Sequence, residues 1–213
     1  MFTAVLSQDA QDALAVLGRS GLLSQAYLAG GSALALQFGH RRSVDFDFFS
    51  PHEFSPDKLR KALSLLGAFE TTFAKGITLL GVFEGVKFSY FQYEYPLVDA
   101  TITHEGIAIA NLKDIAAMKL AAIMDRGKKR DFIDLFVLAH QGLTFDVMLK
   151  VYDQKYHALE SNMFSLFRAM NYFDEADTTD MPEMLIPLSW EEIKKFFIAE
   201  SMRLAKKYLE ESP

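Results

Sequence analysis

Two aspartates, Asp45 and Asp47, stand two residues apart in the run VDFDFFS, and a Gly30-Gly31-Ser32 triplet precedes them in YLAGGSALALQFGHRRSVDFDFFS. In a strand, side chains at i and i+2 share a face. Asp45 and Asp47 therefore point one way, while Val44, Phe46 and Phe48 point the other and anchor the strand in a core. Two carboxylates held side by side repel unless a cation lies between them. Mg2+ suits such a pair, because it is a hard ion commonly held by one or two carboxylates plus substrate phosphates; Mn2+ can take the same place. Glycines let a ligand approach the backbone closely. A helix start offers free N–H groups and partial positive charge to an anion, and Ser32 adds a hydroxyl. Gly30, Gly31 and Ser32 are thus read as a phosphate cradle, and Asp45 and Asp47 as ligands of a metal bridging those phosphates. This is the layout of metal-dependent phosphoryl or nucleotidyl transfer. Each piece alone has a structural reading, a turn for Gly-Gly and a solvated face for Asp-x-Asp. Their order is more specific: the 12 residues between Ser32 and Asp45 leave room for one helix, a loop and a returning strand.

The elements that must position these residues follow from pattern. QAYLAGG reads as a short strand running into the Gly-Gly turn. SALALQFG reads as a helix with Ser32 as N-cap and Gly39 as its stop. HRRS is a basic loop, and VDFDFFS alternates as a strand. Residues 7–18 form a helix before this unit, and residues 57–67 form an amphipathic one after it. FETTFA, TLLGVFEG and VKFSYFQYEY are strand-like and punctuated by Gly76, Gly81 and Gly85, which predicts hairpins or a meander; GIAIA is a further short strand. NLKDIAAMKLAAIMDRG is a strong helix, with Asn111 and Asp114 as a capping box and Gly127 at its end. KRDFIDLFVLAHQG is the next helix. Beyond about residue 143 the pattern is helical. An acidic linker, DEADTTDMPEMLIP, leads to a last amphipathic helix with Ser189 and Glu192 as its capping box. The fold class is α+β, a mixed sheet with flanking helices. The expected division is a domain over 1–142 and a helical C-terminal region over 143–213 packed on it.

A second group of charges lies on those helices. Lys119 has Ile115 and Ile123 at i±4 and Ala116 and Ala122 at i±3, so its ammonium sits in an apolar stripe and needs an anionic partner. One reading is a snorkelling or structurally paired lysine; the other is a lysine that reaches a nucleotide phosphate or a catalytic carboxylate. Asp131 and Asp134 share a face of the next helix, near Lys128, Lys129 and Arg130. Their structural reading is helix capping for Asp131 and an ion pair with Arg130 or Lys119 for Asp134. Their functional reading is a base, or an acid that orients Lys119. Arg41 and Arg42, in the loop before the Asp strand, suit a triphosphate or an RNA backbone, or are simply solvated. His40, His52, His104, His140 and His157 show no metal-ligand spacing. The phenylalanine clusters are core.

Composition sets the bounds. Half of the 213 residues are apolar and 23% are charged, ordinary for a globular protein with a real core. The formal net charge of −6 gives no support to a broad nucleic-acid footprint, although a local basic patch is compatible with it. The absence of cysteine excludes disulfides and Cys-ligated zinc and fits a reducing cytoplasm. The N-terminal MFTAVLSQDAQDAL lacks the basic and apolar regions of a secretory signal. No stretch of about 18 apolar residues predicts a membrane span.

The Gly-Gly-Ser and Asp-x-Asp pattern resembles the signature of the nucleotidyltransferase superfamily. The longer runs GGSALALQFGHRRSVDFDFF and DIAAMKLAAIMDRGKKRDFIDLF resemble the AbiEii/AbiGii toxin family within it. That resemblance implies a nucleotidyltransferase toxin of a bacterial toxin–antitoxin or abortive-infection (phage defence) system. It would use an NTP and Mg2+, pair with an antitoxin, and transfer a nucleoside monophosphate to an acceptor hydroxyl, with RNA, tRNA included, as the acceptor. It also implies a catalytic place for Lys119; on the functional reading of the residues, Asp131 takes the direct role beside it and Asp134 supports. The chain departs from the superfamily pattern in one respect: Ser89 stands in VKFSYF, where many members carry a third carboxylate, and Asp99 lies too far along to replace it. If no third strand carboxylate exists, the site holds one metal rather than two, with Asp131 as the substitute base; the resemblance leaves this open. Two alternatives stand beside this: the same chemistry with a protein or small molecule as acceptor, and, from a different class, a non-catalytic interaction protein of the same fold.

Overall fold

Ser7 caps the first helix, its Oγ accepting the Ala10 amide at 3.2 Å, and α1 (Gln8–Ser20) ends at Gly21, whose φ of 67° suits only glycine well. In this computed structural model, which describes residues 1–211, the chain divides into two compact units, Met1–Asn111 and Leu112 onward. The first unit continues with β1 (Tyr27–Ala29), α2 (Gly30–Phe38), β2 (Asp45–Ser50), α3 (Pro56–Leu66), β3 (Phe69–Lys75), β4 (Thr78–Phe83), β5 (Val86–Gln92), β6 (Ile102–His104) and β7 (Ile107–Ile109). The strands form one mixed sheet in the order β3-β4-β5-β2-β1-β7-β6. Strand β2 is antiparallel to β1 and parallel to β5, so it lies in the middle of the sheet. Its burial alternates strictly. Phe46 and Phe48 are wholly buried on one face, with Phe48 packed 5.4 Å from the Phe88 ring, while Asp45, Asp47 and Phe49 are half-buried on the other.

Two expectations change here, and one strand is new. Val44 is 64% exposed and precedes the strand, so it anchors nothing. Ser32 is not an N-cap: α2 already begins at Gly30, after Ala29, and Ser32 sits buried in its first turn. Strand β6 had no strand reading; it is three residues long with Ile102 exposed, too short for alternation to register. The hairpins expected among β3, β4 and β5 do form, and β6 and β7 make a further one. Glu84 and Gly85 turn β4 into β5 with φ of 48° and 79°, and Glu105 and Gly106 turn β6 into β7 with 50° and 77°. Positive φ at both central residues matches the twist of the flanking strands.

The second unit is helical: α4 (Leu112–Asp125), α5 (Lys129–His140), α6 (Phe145–Tyr156), α7 (Leu159–Ala169), α8 (Asp174–Asp177) and α9 (Trp190–Glu211). The contact boundary falls before α4, after Asn111, and α4 and α5 group with the later helices. Phe132 centres an aromatic cluster, with the rings of Phe197, Phe173 and Trp190 at 5.0, 5.2 and 5.9 Å. Asp114, expected in a capping box, accepts Lys155 Nζ at 2.7 Å between α4 and α6, and neither side chain is exposed. Short helix α8 interrupts the acidic linker, and its Asp177 accepts the Trp190 indole N–H at 2.5 Å. Among the described residues no single helix is long and apolar enough to cross a bilayer. The pair α5 and α6 qualifies only when taken together, across a 115° bend.

Candidate active site

The sheet face that carries the two aspartates is defined by register. Ala29 of β1 lies opposite Asp47 on one side. On the other, β5 places Lys87 beside Asp45, Ser89 beside Asp47 and Phe91 beside Phe49. Paired residues of neighbouring strands project to the same face. Ser89 thus occupies the place where a third carboxylate was sought. Asp99 is exposed in the loop after β5, off the sheet.

Helix α2 starts directly from β1, so its N-terminal amides open at the edge of this face. Gly30 takes φ of 67°, and a Cβ there would stand 3.0 Å from Asp47 Oδ2. A Cβ on Gly31 would lie 2.3 Å from Arg41 Nη2. The glycines are therefore needed at two points: one lets the chain turn beside a carboxylate, and the other makes room for a guanidinium. Arg41 is buried, at 3% exposure, and donates from Nη1 to Arg42 O at 3.0 Å. Arg42 is exposed and donates to Ala4 O at 2.5 Å. The two arginines thus separate, and Arg41 is the one held against the cradle. The Ser32 hydroxyl hydrogen-bonds the Asp45 carbonyl and lies 2.8 Å from Ser43 Oγ. With one proton to give, it ties the first turn of α2 to the start of β2.

No three His, Cys, Asp or Glu side chains converge as a metal cage among the described residues. Asp45 and Asp47 nevertheless fit a hard divalent ion that keeps several waters and takes its remaining oxygens from phosphates. Gly30, with no side chain beside Asp47 Oδ2, leaves that approach clear.

In the second unit, Lys119 Nζ lies 2.8 Å from Asp131 Oδ1 and 2.6 Å from Asp134 Oδ2; its side chain is 5% exposed and both carboxylates are fully buried. Arg126 grips Asp131 as well, through Nε at 2.9 Å and Nη2 at 3.1 Å. The pattern reading placed Asp131 as a helix cap, yet its carboxylate goes to Lys119 and Arg126, and the N-cap position is Lys128. Arg126 had not been singled out; its only sequence signal is membership of the basic run RGKKR. Lys129 turns away, donating to Thr179 O and lying 5.3 Å from the Trp190 ring centre. Burial pushes the Asp131 carboxyl up, but Lys119 and Arg126 outweigh it and hold it below the usual carboxylate range. Such a group is permanently ionised near neutrality. That suits orienting a lysine better than accepting a proton.

A family model described as nucleotidyl transferase AbiEii toxin, type IV toxin–antitoxin system, matches residues 12–106 and 94–209. The chain belongs to the AbiEii family. An uncharacterised protein of Aquifex aeolicus (strain VF5), aq_aa25, is 35% identical over 210 residues, covering 96% of this chain and 98% of that one. Among solved structures, JHP933 from Helicobacter pylori is similar with a TM-score of 0.54 at 17% identity, covering 95% of this chain and 94% of that chain. MenT4, a nucleotidyltransferase toxin from Mycobacterium tuberculosis H37Rv, is similar with a TM-score of 0.53 at 16% identity, covering 92% and 86%. At such identity these likenesses show the fold. AbiEii membership itself carries nucleotidyl transfer within a toxin–antitoxin system as the general activity, with a nucleotide substrate, an antitoxin partner and a divalent metal as the implied cofactor.

Proposed function

We propose that this AbiEii protein binds a nucleoside triphosphate with Mg2+, or Mn2+ in its place, and transfers the nucleoside monophosphate to an RNA hydroxyl, the 3′ end of a tRNA. It would act in the cytoplasm as the toxin of a phage-defence system. The observation that carries the reading is the half-buried pair Asp45 and Asp47 beside the glycine-started N-terminus of α2. For tRNA the support is the family resemblance.

In such a transfer the acceptor hydroxyl gives up its proton, to water or to the departing pyrophosphate, as its oxygen forms a bond to the α-phosphorus. The bond from that phosphorus to the bridging oxygen of the β-phosphate breaks, and pyrophosphate leaves. A bound divalent ion supplies Lewis-acid polarisation of the phosphoryl oxygens. Asp45 and Asp47 would hold it. The N–H groups at Gly30, Gly31 and Ser32 would receive phosphate oxygens, and the Arg41 guanidinium would add fixed positive charge beside them. Arg42, exposed, is assigned to the acceptor backbone. Lys119 is assigned to phosphate charge, with Asp131 and Asp134 holding its ammonium. In functional terms residues 1–142 would form the transfer domain and 143–213 its helical extension.

The test is incubation of the protein with each α-labelled NTP, Mg2+ and total RNA, beside parallel arms with cell protein and small molecules. Label on tRNA supports the reading. Label on protein or a small molecule moves the acceptor, an outcome the net charge of −6 would suit. NTP binding with no transfer to any acceptor overturns catalysis.

A further inference from the structure

The site face has a cation that the metal and phosphate assignments leave unused. Lys87 of β5 is the register partner of Asp45, and Ser89, two residues on, is the partner of Asp47. The alternation of β5 agrees: Val86, Phe88 and Tyr90 are buried, Lys87 is exposed and Ser89 is intermediate. Adjacent strands stand about 4.8 Å apart, and a lysine carries its charge on a flexible four-carbon stem. The Lys87 ammonium is thus within reach of the surroundings of Asp45.

We propose that Lys87 binds the polyphosphate of the incoming nucleotide at the Asp45/Asp47 face. The inference rests on the nucleotide–metal reading of that face. Its logic is charge. Two carboxylates and one divalent ion cancel, so the triphosphate brings negative charge that the metal does not neutralise. Arg41 meets that charge from the α2 side, buried against Gly31. Nothing else assigned so far meets it from the β5 side, and no carboxylate of β5 stands in register with Asp45 or Asp47 to draw a second metal. An exposed lysine at that position completes the countercharge.

The assignment has a signature that a structural lysine lacks. A cation beside a metal site opposes binding of the metal alone and favours binding of the metal–triphosphate complex. In the full chain, Mn2+ alone is expected to bind Lys87→Ala as tightly as wild type or about threefold more tightly. Mn2+ with a non-hydrolysable triphosphate analogue is expected to bind about tenfold more weakly, and Lys87→Arg is expected to restore most of the loss. Lys87 is exposed, so the melting temperature should hold. Asp45→Asn separates the two layers of the argument. If Asp45→Asn loses the metal–nucleotide complex and Lys87→Ala does not, the Lys87 proposal fails and the face reading stands. If neither variant changes nucleotide binding, the face reading itself fails. Weakened binding of a single-stranded RNA oligonucleotide by Lys87→Ala, with the triphosphate analogue unaffected, would assign the lysine to the acceptor and overturn the proposal.

Discussion

Asn in place of Asp45 or Asp47 keeps the size and one acceptor oxygen but loses the charge that competes with water for a divalent ion. Both side chains are half-buried on the site face, and the core phenylalanines lie opposite, so no core packing is lost. Each variant is expected to lower nucleotide transfer by at least about a hundredfold. Removing one of two crowded charges should leave the metal-free melting temperature unchanged or slightly raised. Wild-type transfer rates in Mg2+ would refute the metal assignment, and unfolding would make the aspartates structural. Ser89 sharpens the same point. A Mn2+ titration with a triphosphate analogue should saturate at one ion per chain, and Ser89→Asp, beside Asp47, is the substitution expected to admit a second. Paramagnetic resonance of free Mn2+ counts the ions directly.

Between elements, glycine substitutions separate cradle from scaffold. A Cβ at Gly31 meets only the far end of Arg41, whereas one at Gly18 would sit 1.7 Å from the Glu105 backbone oxygen, where α1 crosses the β6–β7 turn. Gly31→Ala should therefore fold and bind nucleotide more weakly, since the guanidinium must move. Gly18→Ala should cost about 1–3 kcal/mol in urea denaturation while nucleotide affinity of the folded fraction stays. The α4–α5 pair behaves differently. Lys119 is the shared partner of two fully buried carboxylates, so Lys119→Ala takes the shared cation from both, with Arg126 still held by Asp131, and is expected to cost about 3–5 kcal/mol. Activity lost in that variant reports folding as well as chemistry. The informative comparison is transfer rate per folded molecule, judged by circular dichroism. Undiminished stability in Lys119→Ala would show the ion network to be dispensable to the fold.

Across the molecule, buried and bridged carboxylates shape the response to acid. Asp131 is held below its ordinary pKa, and Asp146, bridged by Arg203 and Lys207, is lowered to about 2. A group whose folded pKa is depressed contributes stability that is complete above its unfolded value, about 3.9, and is lost as the pH falls through the folded value. Urea midpoints should stay level in these contributions from pH 7 to 5 and fall below about pH 4. Asp131→Asn should be less stable at pH 7 and show a shallower acid limb. Asp146 is half-buried and its cationic partners reach solvent, so its ion pairs are worth no more than about 1 kcal/mol. An acid limb of equal steepness in Asp131→Asn would assign it to other carboxylates.

Much of the site was legible in one dimension because its determinants are local. Alternation around Phe46 and Phe48 placed Asp45 and Asp47 on a common face, the Gly-Gly pair marked a chain reversal into a helix, and Ser7 and Gly39 bounded helices through contacts within four residues. These features depend on backbone periodicity and on caps that neighbours in sequence supply. The AbiEii resemblance rested on the same short runs. The tertiary structure decided whatever required two distant segments to meet. Ser89 and Lys87 fall beside Asp47 and Asp45 only because β5 pairs with β2 in one register, and a slip of one residue would have turned both away. Arg41 and Arg42 are equivalent as neighbours in a basic loop; packing buries one against Gly31 and ties the other to Ala4. The apolar stripe around Lys119 demanded an anion without naming it, and the α4–α5 packing supplied Asp131 and Asp134 together. A charge announces its need for a partner through its neighbours in sequence, but which partner answers depends on geometry that only the folded chain possesses.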